Sequence, residues 1–535
     1  MVFLRILSIL AIALASWSCT KKKTEQPVLP FGLAYNETLR INITEEPPSL
    51  DWAKSTDTTS ALIEDNIMEG LLAYDFSTPE IGLKPALATE WKSEENAKKW
   101  IFQLRKGVQW TDGVEFVGQH VVDGWKRLLD PATASQYAYF LFNVKNARQF
   151  NQGKITDFSK VGIKVDGDTL VVELEESISY FPYLLTHHAT YPHRLDIIKK
   201  YGDDWTKPQN IQSLGAFRLK EWKHDSAIVL ERYENYYGEK SQIKNILAFM
   251  INENSTALNM FDSNQVDSLH TLPSTEISHL KQRNEYKEAG ILGIYYYGFN
   301  VHRPPMDNVL VRKAINHAID RTAITKMLAG GQKPISGWLP PGMYGYSKES
   351  GIEFDVEKAK DLLKKAGYAD LSKFPKLTIG FNTNEDHQRI AENVQAQLKA
   401  NLGLDVELEN SEWKVFLGKL KADPPHIFRM GWIADYPDPE NFLSLMTSYS
   451  DNNYTKWKEK SYDSLLAQAL KLSKEEERKE VYLKAQEMLT EAHAPVFPIY
   501  SYVNQLLVSD RVENYPLNAM SRYIFKDVRL KKKAQ

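Results

Sequence analysis

Two charged residues near the end of the chain stand where a carboxylate and a guanidinium could meet a ligand. Asp435 follows an apolar, strand-like run and precedes a proline-rich turn, so its carboxylate would project from a strand end. It would either pair with a cation or accept hydrogen bonds from its own turn ahead of Pro437. Arg429 lies inside the same run, and a buried guanidinium needs an anion, from either an internal carboxylate or a ligand. The residues alone leave both alternatives open.

The sequence of 535 residues contains few patterns typical of metal sites, catalytic nucleophiles or nucleotide-binding sites. It contains 12 histidines and one cysteine, and the densest histidine group is His187, His188 and His193. No matching carboxylate spacing accompanies that group, so the pattern favours packing or surface histidines over a metal site. No HExxH, GxSxG, Walker A, GxGxxG or EF-hand motif occurs. We therefore expect a protein that is not an enzyme and that holds no metal or cofactor.

Charge and composition narrow the class of protein further. The chain has 66 Lys+Arg and 69 Asp+Glu, which gives a formal net charge of −3. Nucleic-acid binding needs clustered excess positive charge, so this balance argues against a nucleic-acid partner. Apolar residues at 43% and charged residues at 25% are typical of a soluble globular protein. At about 150 residues per domain, the length predicts two or three domains.

The N-terminus predicts export and a lipid anchor. Residues 3–15 form an apolar run with a single charge, too short to cross a bilayer core of about 30 Å comfortably. We interpret residues 1–18 as a signal peptide, cut between Ser18 and Cys19, because the residues up to Cys19 resemble a bacterial lipoprotein box. Residues 19–35 would then form a polar tether behind a lipidated Cys19. The alternative is an ordinary signal peptide that ends in a cysteine.

Local patterns predict alternating strands and helices, hence an α/β protein with at least two lobes. Residues 100–104 and 169–174 are rich in β-branched and aromatic side chains, as strands are. Helix starts are indicated by capping residues at Asp307 or Asn308, at Asp355, and by a capping box at Ser473.

Six segments carry motifs that occur together in one family. They are EPPSLD with MEGLL (46–51, 68–72), WIFQLRKGVQWTDG (100–113), DPATAS (130–135), GAFRL (215–219), YYYGFN with PPMDNVLVRKA (295–300, 304–314) and RMGWIADYPDPENF (429–442). In content and order they resemble the extracytoplasmic solute-binding proteins of peptide ABC importers, in particular the oligopeptide-binding branch. The resemblance covers nearly all of the chain after about residue 39.

The resemblance implies a two-lobed periplasmic-binding-protein clamp of type II, hinged around a central cleft. Lobe I would consist of residues 36–68, 197–292 and 503–535, and lobe II of residues 293–502. Residues 69–196 would form the extra domain of the peptide-binding cluster. The crossovers near 292 and 502 would be the hinge, and closure would bury the ligand.

The resemblance also assigns positions in the cleft to the constant features of a peptide. Asp435 would pair with the α-ammonium, and Arg429, His387 and Lys421 are cationic candidates for the α-carboxylate. The positions that match the rest of the family's cleft are Tyr137, Tyr296, Trp413, Leu417, Trp432, Tyr502, Gly431, Ile433, Thr56 and Thr58. For the aromatic residues the alternative is plain core packing.

Four departures from the family pattern affect the expected cargo. Gly298 and Thr56 stand where the pattern has acidic residues, so the cleft would favour cationic side chains less. Leu420 and Ala329 stand where it has basic residues, which changes the peptide lengths that would be held. The family's preferred cargo therefore does not transfer to this chain.

The expected function is an exported, periplasmic, lipid-anchored and monomeric receptor that delivers short peptides to an ABC permease. A second hypothesis keeps the fold but changes the cargo to dipeptides, cell-wall peptides, nickel chelates or sugars. The third is an envelope peptide hydrolase or an adhesin. The hydrolase lacks a nucleophile and base pattern, and an adhesin has no need of a closing cleft.

Overall fold

The computed structural model describes residues 29–77, 81–472 and 474–531, and it is mixed α/β as predicted. The strands are β1 (Thr38–Asn42), β2 (Leu72–Asp75), β3 (Gly82–Pro85), β4 (Ala88–Glu94), β5 (Lys99–Leu104), β6 (Ile163–Asp166), β7 (Thr169–Glu173), β8 (Phe217–Lys223), β9 (Ala227–Arg232), β10 (Asn245–Phe249), β11 (Ser268–Leu269), β12 (Tyr286–Phe299), β13 (Lys333–Pro334), β14 (Leu377–Asn382), β15 (Val406–Ser411), β16 (Ile427–Ile433), β17 (Val496–Val508), β18 (Val512–Glu513) and β19 (Arg529–Leu530). The helices are α1 (Thr58–Ile67), α2 (Gly118–Leu129), α3 (Ala147–Asn151), α4 (Phe181–Leu184), α5 (Leu195–Tyr201), α6 (Asn254–Asp262), α7 (Ile277–Leu280), α8 (Val309–His317), α9 (Arg321–Leu328), α10 (Val356–Lys365), α11 (Glu385–Leu402), α12 (Trp413–Ala422), α13 (Pro439–Ser444), α14 (Lys460–Ala469) and α15 (Glu475–Glu487).

The local elements expected from the sequence lie where their patterns placed them. β5 and β7 cover the two predicted strands. The side chain of Asn308 accepts a hydrogen bond from the backbone N–H of Leu310 and caps α8. Asp355 caps α10 in the same way, through the backbone N–H of Lys358. The capping box expected at Ser473 lies outside the described residues.

A single large sheet positions the residues of interest. Among the described residues, eleven strands form it in the order β15–β14–β16–β12–β17–β11–β1–β10–β9–β8, with β13 paired to β17. β14 is parallel to β15 and β16, and β1 is parallel to β10 and β11. β12 is antiparallel to both of its neighbours, β16 and β17.

The two long strands β12 and β17 connect the halves of this sheet. β12 pairs with β16 from Gly293 to Phe299, whereas β17 pairs with β11 through Leu507 and Val508. The β12–β17 ladder is interrupted between Gly290 and Ile294. The crossovers expected near 292 and 502 fall inside these strands, and the boundaries of the lobes remain a prediction.

Residues 69–196 contain smaller sheets of their own. Within the described part of this segment, β4, β5, β7 and β6 form a four-stranded sheet in that order, and β2 pairs with β3. Their buried side chains, such as Trp100 and Phe102, belong to the same apolar cluster as Trp432 and Tyr436. The segment thus packs close to the end of β16.

No helix in the described ranges has both the length and the apolar character that crossing a bilayer requires. The predicted signal peptide and Cys19 lie outside the described residues.

Candidate functional site

β16 and the turn after it carry both charged residues that the sequence singled out. Successive residues of a strand point to opposite faces of its sheet, so Arg429 and Gly431 share one face and Trp432 lies on the other. Asp435 lies between the end of β16 and the start of α13, as predicted. The strand therefore presents two separate groups of side chains.

The Asp435 group consists of Asp435, Asn441, Trp432, Tyr137 and His187. Asn441 Nδ2 donates to Asp435 Oδ2 at 3.1 Å, and Asn441 Oδ1 accepts from the Asp435 backbone N–H and from Trp432 Nε1, both at 3.0 Å. His187 Nε2 lies 3.2 Å from Asp435 Oδ1. The Tyr137 ring centroid is 4.5 Å from that of His187 and 6.5 Å from that of Trp432. The carboxylate is thus oriented by Asn441 and not by the backbone of its own turn.

Burial sets the electrostatics of the Asp435 group. Asp435 is 9% exposed, and burial raises the pKa of its carboxyl to about 6, while the Arg522 guanidinium and the Asn441 amide act in the opposite direction. Arg522 is already paired, with Nη1 2.7 Å from Asp65 Oδ2. Burial also holds the pKa of His187 well below its usual range, so this imidazole is neutral. A ligand cation at Asp435 would offset the cost of its buried charge.

The three clustered histidines are all buried, and sequence reasoning missed the role of one of them. Beside His187 at Asp435, His188 Nε2 lies 3.2 Å from the backbone oxygen of Ser55, and His193 contacts Trp52 and Arg127. The packing alternative therefore holds and the surface alternative is wrong. In the described ranges no cluster of His, Cys, Asp and Glu could hold a metal ion. The apolar stretch around these histidines was the available signal of burial.

The Arg429 group consists of Arg429, Asn382, Tyr502, Gly431 and Glu45. Arg429 donates from Nη1 to Asn382 Oδ1 at 3.0 Å and from Nη2 to Tyr502 Oη at 2.9 Å. It is 8% exposed, and its Nε has no hydrogen-bond partner among the described residues. A side chain at Gly431 would collide with Tyr502, since an added Cβ would lie 2.4 Å from Oη. Arg429 is thus a buried cation whose direct acceptors are neutral, with donors left for an anion.

Glu45 reaches the Arg429 group from the other half of the sheet, and no motif in the sequence indicated this contact. It lies between β1 and α1, and its Oε1 accepts a hydrogen bond from Asn382 Nδ2 at 3.0 Å. Burial raises the pKa of Glu45 to about 7, against the Asn382 hydrogen bond and the Arg429 charge. Asn382 therefore links an acid on one side of the cleft to Arg429 on the other.

The other residues predicted for the site differ in their burial and in their contacts. Tyr296 is buried against Trp338, with ring centroids 4.9 Å apart. Trp413, at the start of α12, faces Asp57, which caps α1, and acts against burial to lower the pKa of that carboxyl. His387 is half-buried near Tyr295, at 5.6 Å between ring centroids, and desolvation of its ring keeps its pKa well below the usual range. Half-buried positions are Thr56, Leu417, Ile433 and Tyr502.

Two of the predicted positions are not drawn into either group. Lys421 is exposed near the end of α12, where its backbone oxygen accepts from Lys456. Thr58 is exposed as the first residue of α1. Gly298, one of the departures from the family pattern, has no room for a side chain because an added Cβ would lie 2.3 Å from the Phe428 ring. Aromatic packing fills the space that an acid would need.

Comparison with known proteins gives concordant matches over most of the chain. The model of the bacterial extracellular solute-binding proteins, family 5 (middle), matches residues 82–454. The oligopeptide-binding protein OppA of Bacillus subtilis (strain 168) is 34% identical over 517 residues, which cover 92% of this chain and 93% of the relative.

The solved structures that are similar to this chain include a peptide complex and an unliganded open form. Haemophilus influenzae OppA in complex with RPPGFSPFR gives a TM-score of 0.88 at 31% identity and covers 94% of this chain and 100% of that chain. The unliganded open form of the murein tripeptide-binding protein MppA gives a TM-score of 0.63 at 31% identity, with coverage of 95% and 99%. The present structure is therefore more similar to the peptide complex than to the open form.

Proposed function

Because this chain belongs to the bacterial extracellular solute-binding proteins of family 5, we propose that it captures short peptides in a closing cleft and delivers them to an ABC permease. The observation that carries the proposal is Asp435, a buried carboxylate oriented by Asn441 and faced by a neutral imidazole. Such a group is suited to a peptide ammonium. The work of the protein is binding, closure and docking, and no bond of the peptide is broken.

The Arg429 group on β16 and the Asp435 group in the turn after it suit the two ends of a peptide. The Asp435 group would accept the α-ammonium, and a charge-assisted hydrogen bond of this kind contributes about 1.5–3 kcal/mol. The Arg429 group would donate to the α-carboxylate through the guanidinium N–H groups that Asn382 and Tyr502 leave unused. Half-buried aromatic side chains such as Trp413 would border the ligand's side chains.

Contacts across the cleft support closure around a ligand. The rings of Tyr180 and Tyr436 stack with centroids 5.5 Å apart and planes 8° from parallel. Gln136 Nε2 donates to Asn452 Oδ1 at 3.1 Å. Both contacts join residues 69–196 to residues 293–502, the segments we assign to the extra domain and lobe II. Opening about the strands β12 and β17 would separate them.

We further infer that the chain is exported and anchored. Signal-peptide cleavage before Cys19 and lipidation of its thiol would hold a monomeric receptor at the membrane beside its permease. Relatives of the chain are periplasmic binding proteins, which supports an extracytoplasmic location. Mass spectrometry of the purified membrane fraction would detect the lipidated Cys19 peptide.

Thermal unfolding with peptides tests the proposal. Residues 20–535 are stripped of bound ligand by unfolding and refolding, then melted with pools of two- to six-residue peptides, each pool free and N-acetylated. A ligand at 100 times its Kd adds about 2.7 kcal/mol, enough to raise Tm by a few degrees. We expect stabilisation by free peptides that is lost on acetylation and in Asp435→Asn, but kept in the control Asp423→Asn on the exposed surface.

The other outcomes separate the parts of the proposal. If acetylated and free peptides stabilise the protein equally, the assignment of peptide binding stands, but Asp435 does not bind the peptide ammonium. The absence of a shift with any pool would overturn the peptide assignment. Turnover of peptides would instead establish a hydrolase.

A further inference from the structure

The Arg429 group contains the carboxylate of Glu45, and a site that binds the carboxylate of a peptide has no need of a second one. Glu45 comes from the loop between β1 and α1, in the half of the sheet opposite β16. It reaches the group through Asn382, 337 positions away in the sequence. The contact therefore joins the two halves of the sheet.

Asn382 connects Glu45 to Arg429 through a chain of two hydrogen bonds. Its Nδ2 donates to Glu45 Oε1 at 3.0 Å, and its Oδ1 accepts from Arg429 Nη1 at 3.0 Å. Each hydrogen bond polarises the amide in the sense that strengthens the other. Asn382 thus orients the guanidinium and brings it under the influence of Glu45.

The charges that face Glu45 leave it short of cations. Asp57 at the cap of α1 and Glu412 at the cap of α12 both act on it as like charges, and Arg429 is the cation that acts on it. His387, which lies near Arg429, is half-buried, and its imidazole is neutral because desolvation and the Arg429 charge hold its pKa well below the usual range. With burial, these neighbours hold the pKa of Glu45 at about 7. A second anion at Arg429 would leave two carboxylates sharing one guanidinium, which disfavours ionisation of one of them.

We propose that Glu45 shares Arg429 with the α-carboxylate of the bound peptide, so that Glu45 takes up a proton from solvent when that carboxylate binds. The proton bonds to a carboxyl oxygen of Glu45, and protonated Glu45 then leaves Arg429 to the ligand. This inference rests on the proposed function and names the regulation of the same site. Preference for a free carboxylate is accordingly stronger in acid than in base.

The test compares each peptide as free acid and as C-terminal amide. Calorimetry on the stripped full-length mature chain uses alanine peptides of two to five residues at pH 5.5, 7 and 8.5. The measured quantity is the ratio Kd(amide)/Kd(acid), in which effects of pH on the peptide ammonium and on Asp435 cancel. For the length with the largest ratio, we expect the ratio to fall roughly tenfold from pH 5.5 to 8.5 in the wild type.

Glu45→Gln should hold the ratio near its acidic value at every pH, because the amide keeps the contact with Asn382 and carries no charge. Glu46→Gln is the matched control, since Glu46 contacts Trp222 and His224 instead of the Arg429 group. Titrations at pH 8 in buffers of different ionisation enthalpy should give an uptake of about 0.3–0.9 proton for the acid beyond that for the amide. That difference should vanish in Glu45→Gln.

A ratio that is independent of pH in the wild type would overturn the proposal, as would a pH dependence that persists in Glu45→Gln. A ratio near one at every peptide length and pH would show that Arg429 does not bind the peptide carboxylate. That result would also overturn the proposal. If the wild type binds neither acids nor amides of the series, nor any peptide pool, the proposed function fails and this inference with it.

Discussion

The Arg429 group on β16 and the Asp435 group just after it orient their buried charges in different ways. Asp435 is oriented by Asn441, six residues further along the same chain, and is faced by the neutral ring of His187. Arg429 is oriented by Asn382 and Tyr502, and through Asn382 it is linked to Glu45 across the cleft. Under the proposed function, the amine end is preset by Asn441 from the same segment of chain, whereas the charge at the carboxylate end is adjusted by Glu45 from the other half of the sheet. Under the proposed function, one end of the site would select ligands strictly while the other would remain adjustable.

Removing the charge at the preset end should have the largest effect. Asp435→Asn is expected to weaken binding of free peptides on the order of 100-fold, because a buried ammonium would lose its counter-ion. N-acetylated peptides should lose little. Calorimetry with both forms measures the difference, with Asp423→Asn as control. Equal affinity of the variant and the wild type for free peptides would end the assignment of Asp435 to the amine.

Removing the cation at the adjustable end should cost less. Arg429→Met is expected to lower affinity for free-acid peptides roughly tenfold and to leave C-terminal amides nearly unchanged, since hydrogen bonds to charged groups contribute about 1.5–3 kcal/mol. Arg303→Met is a control, because Arg303 pairs with exposed Asp423. Parallel losses for acids and amides would assign Arg429 to packing against Tyr295 instead.

Burying the charged Asp435 carboxylate without a ligand cation should lower the stability of the ligand-free protein. The folded-state pKa of Asp435 is about 6, above its ordinary value of 3.8, so the folded protein binds more protons than the unfolded chain between these values. Stability from this group is present below about pH 4 and is lost as pH rises through about 6.

Asp435→Asn should therefore become more stable relative to the wild type, by on the order of 1–3 kcal/mol, as pH rises from 4 to 7. Buried histidines that do not contact Asp435, such as His193, have lowered pKa values and the opposite dependence, and they cancel in this difference. Denaturant unfolding at each pH gives the curve. A constant difference would mean that Asp435 bears no cost of burial without ligand.

The smallest effect is expected at Gly431, which gives Tyr502 room to reach Arg429. Gly431→Ala should displace Tyr502 and reduce the preference for free acids about threefold, the value of one neutral hydrogen-bond partner. Gly418→Ala on α12 is the matched control, because an added Cβ there meets nothing within 4 Å. A preference unchanged in Gly431→Ala would show that Tyr502 does not orient the guanidinium.

The sequence was sufficient to predict those elements that depend on interactions between neighbouring residues. Caps at Asn308 and Asp355 and the strand end before Asp435 depend on neighbouring residues, and the structure places them as expected. Motifs with their order sufficed for the family and the α/β clamp.

What escaped prediction depends on residues far apart in the chain. His187 meets Asp435 and Glu45 meets Asn382 only because the sheet and the segment 69–196 bring them together. Lys421 is the opposite case. Its position matches the family pattern, but its side chain is exposed and contacts neither charged group. Spacing along a chain carries no information on such contacts until the topology is known.

The strand order also governs when the molecule can fold. β17, from the last part of the chain, lies between β12 and β11, and β11 lies beside β1 near the beginning. Neither half can complete its sheet before residue 508 is available, because both pair with β17 directly or through β11. Pairing over such separations is slow, since long loops must close before the contacts form. The large sheet of a growing chain therefore stays incomplete for most of its synthesis, and a polypeptide without its main sheet can still be threaded through a narrow channel.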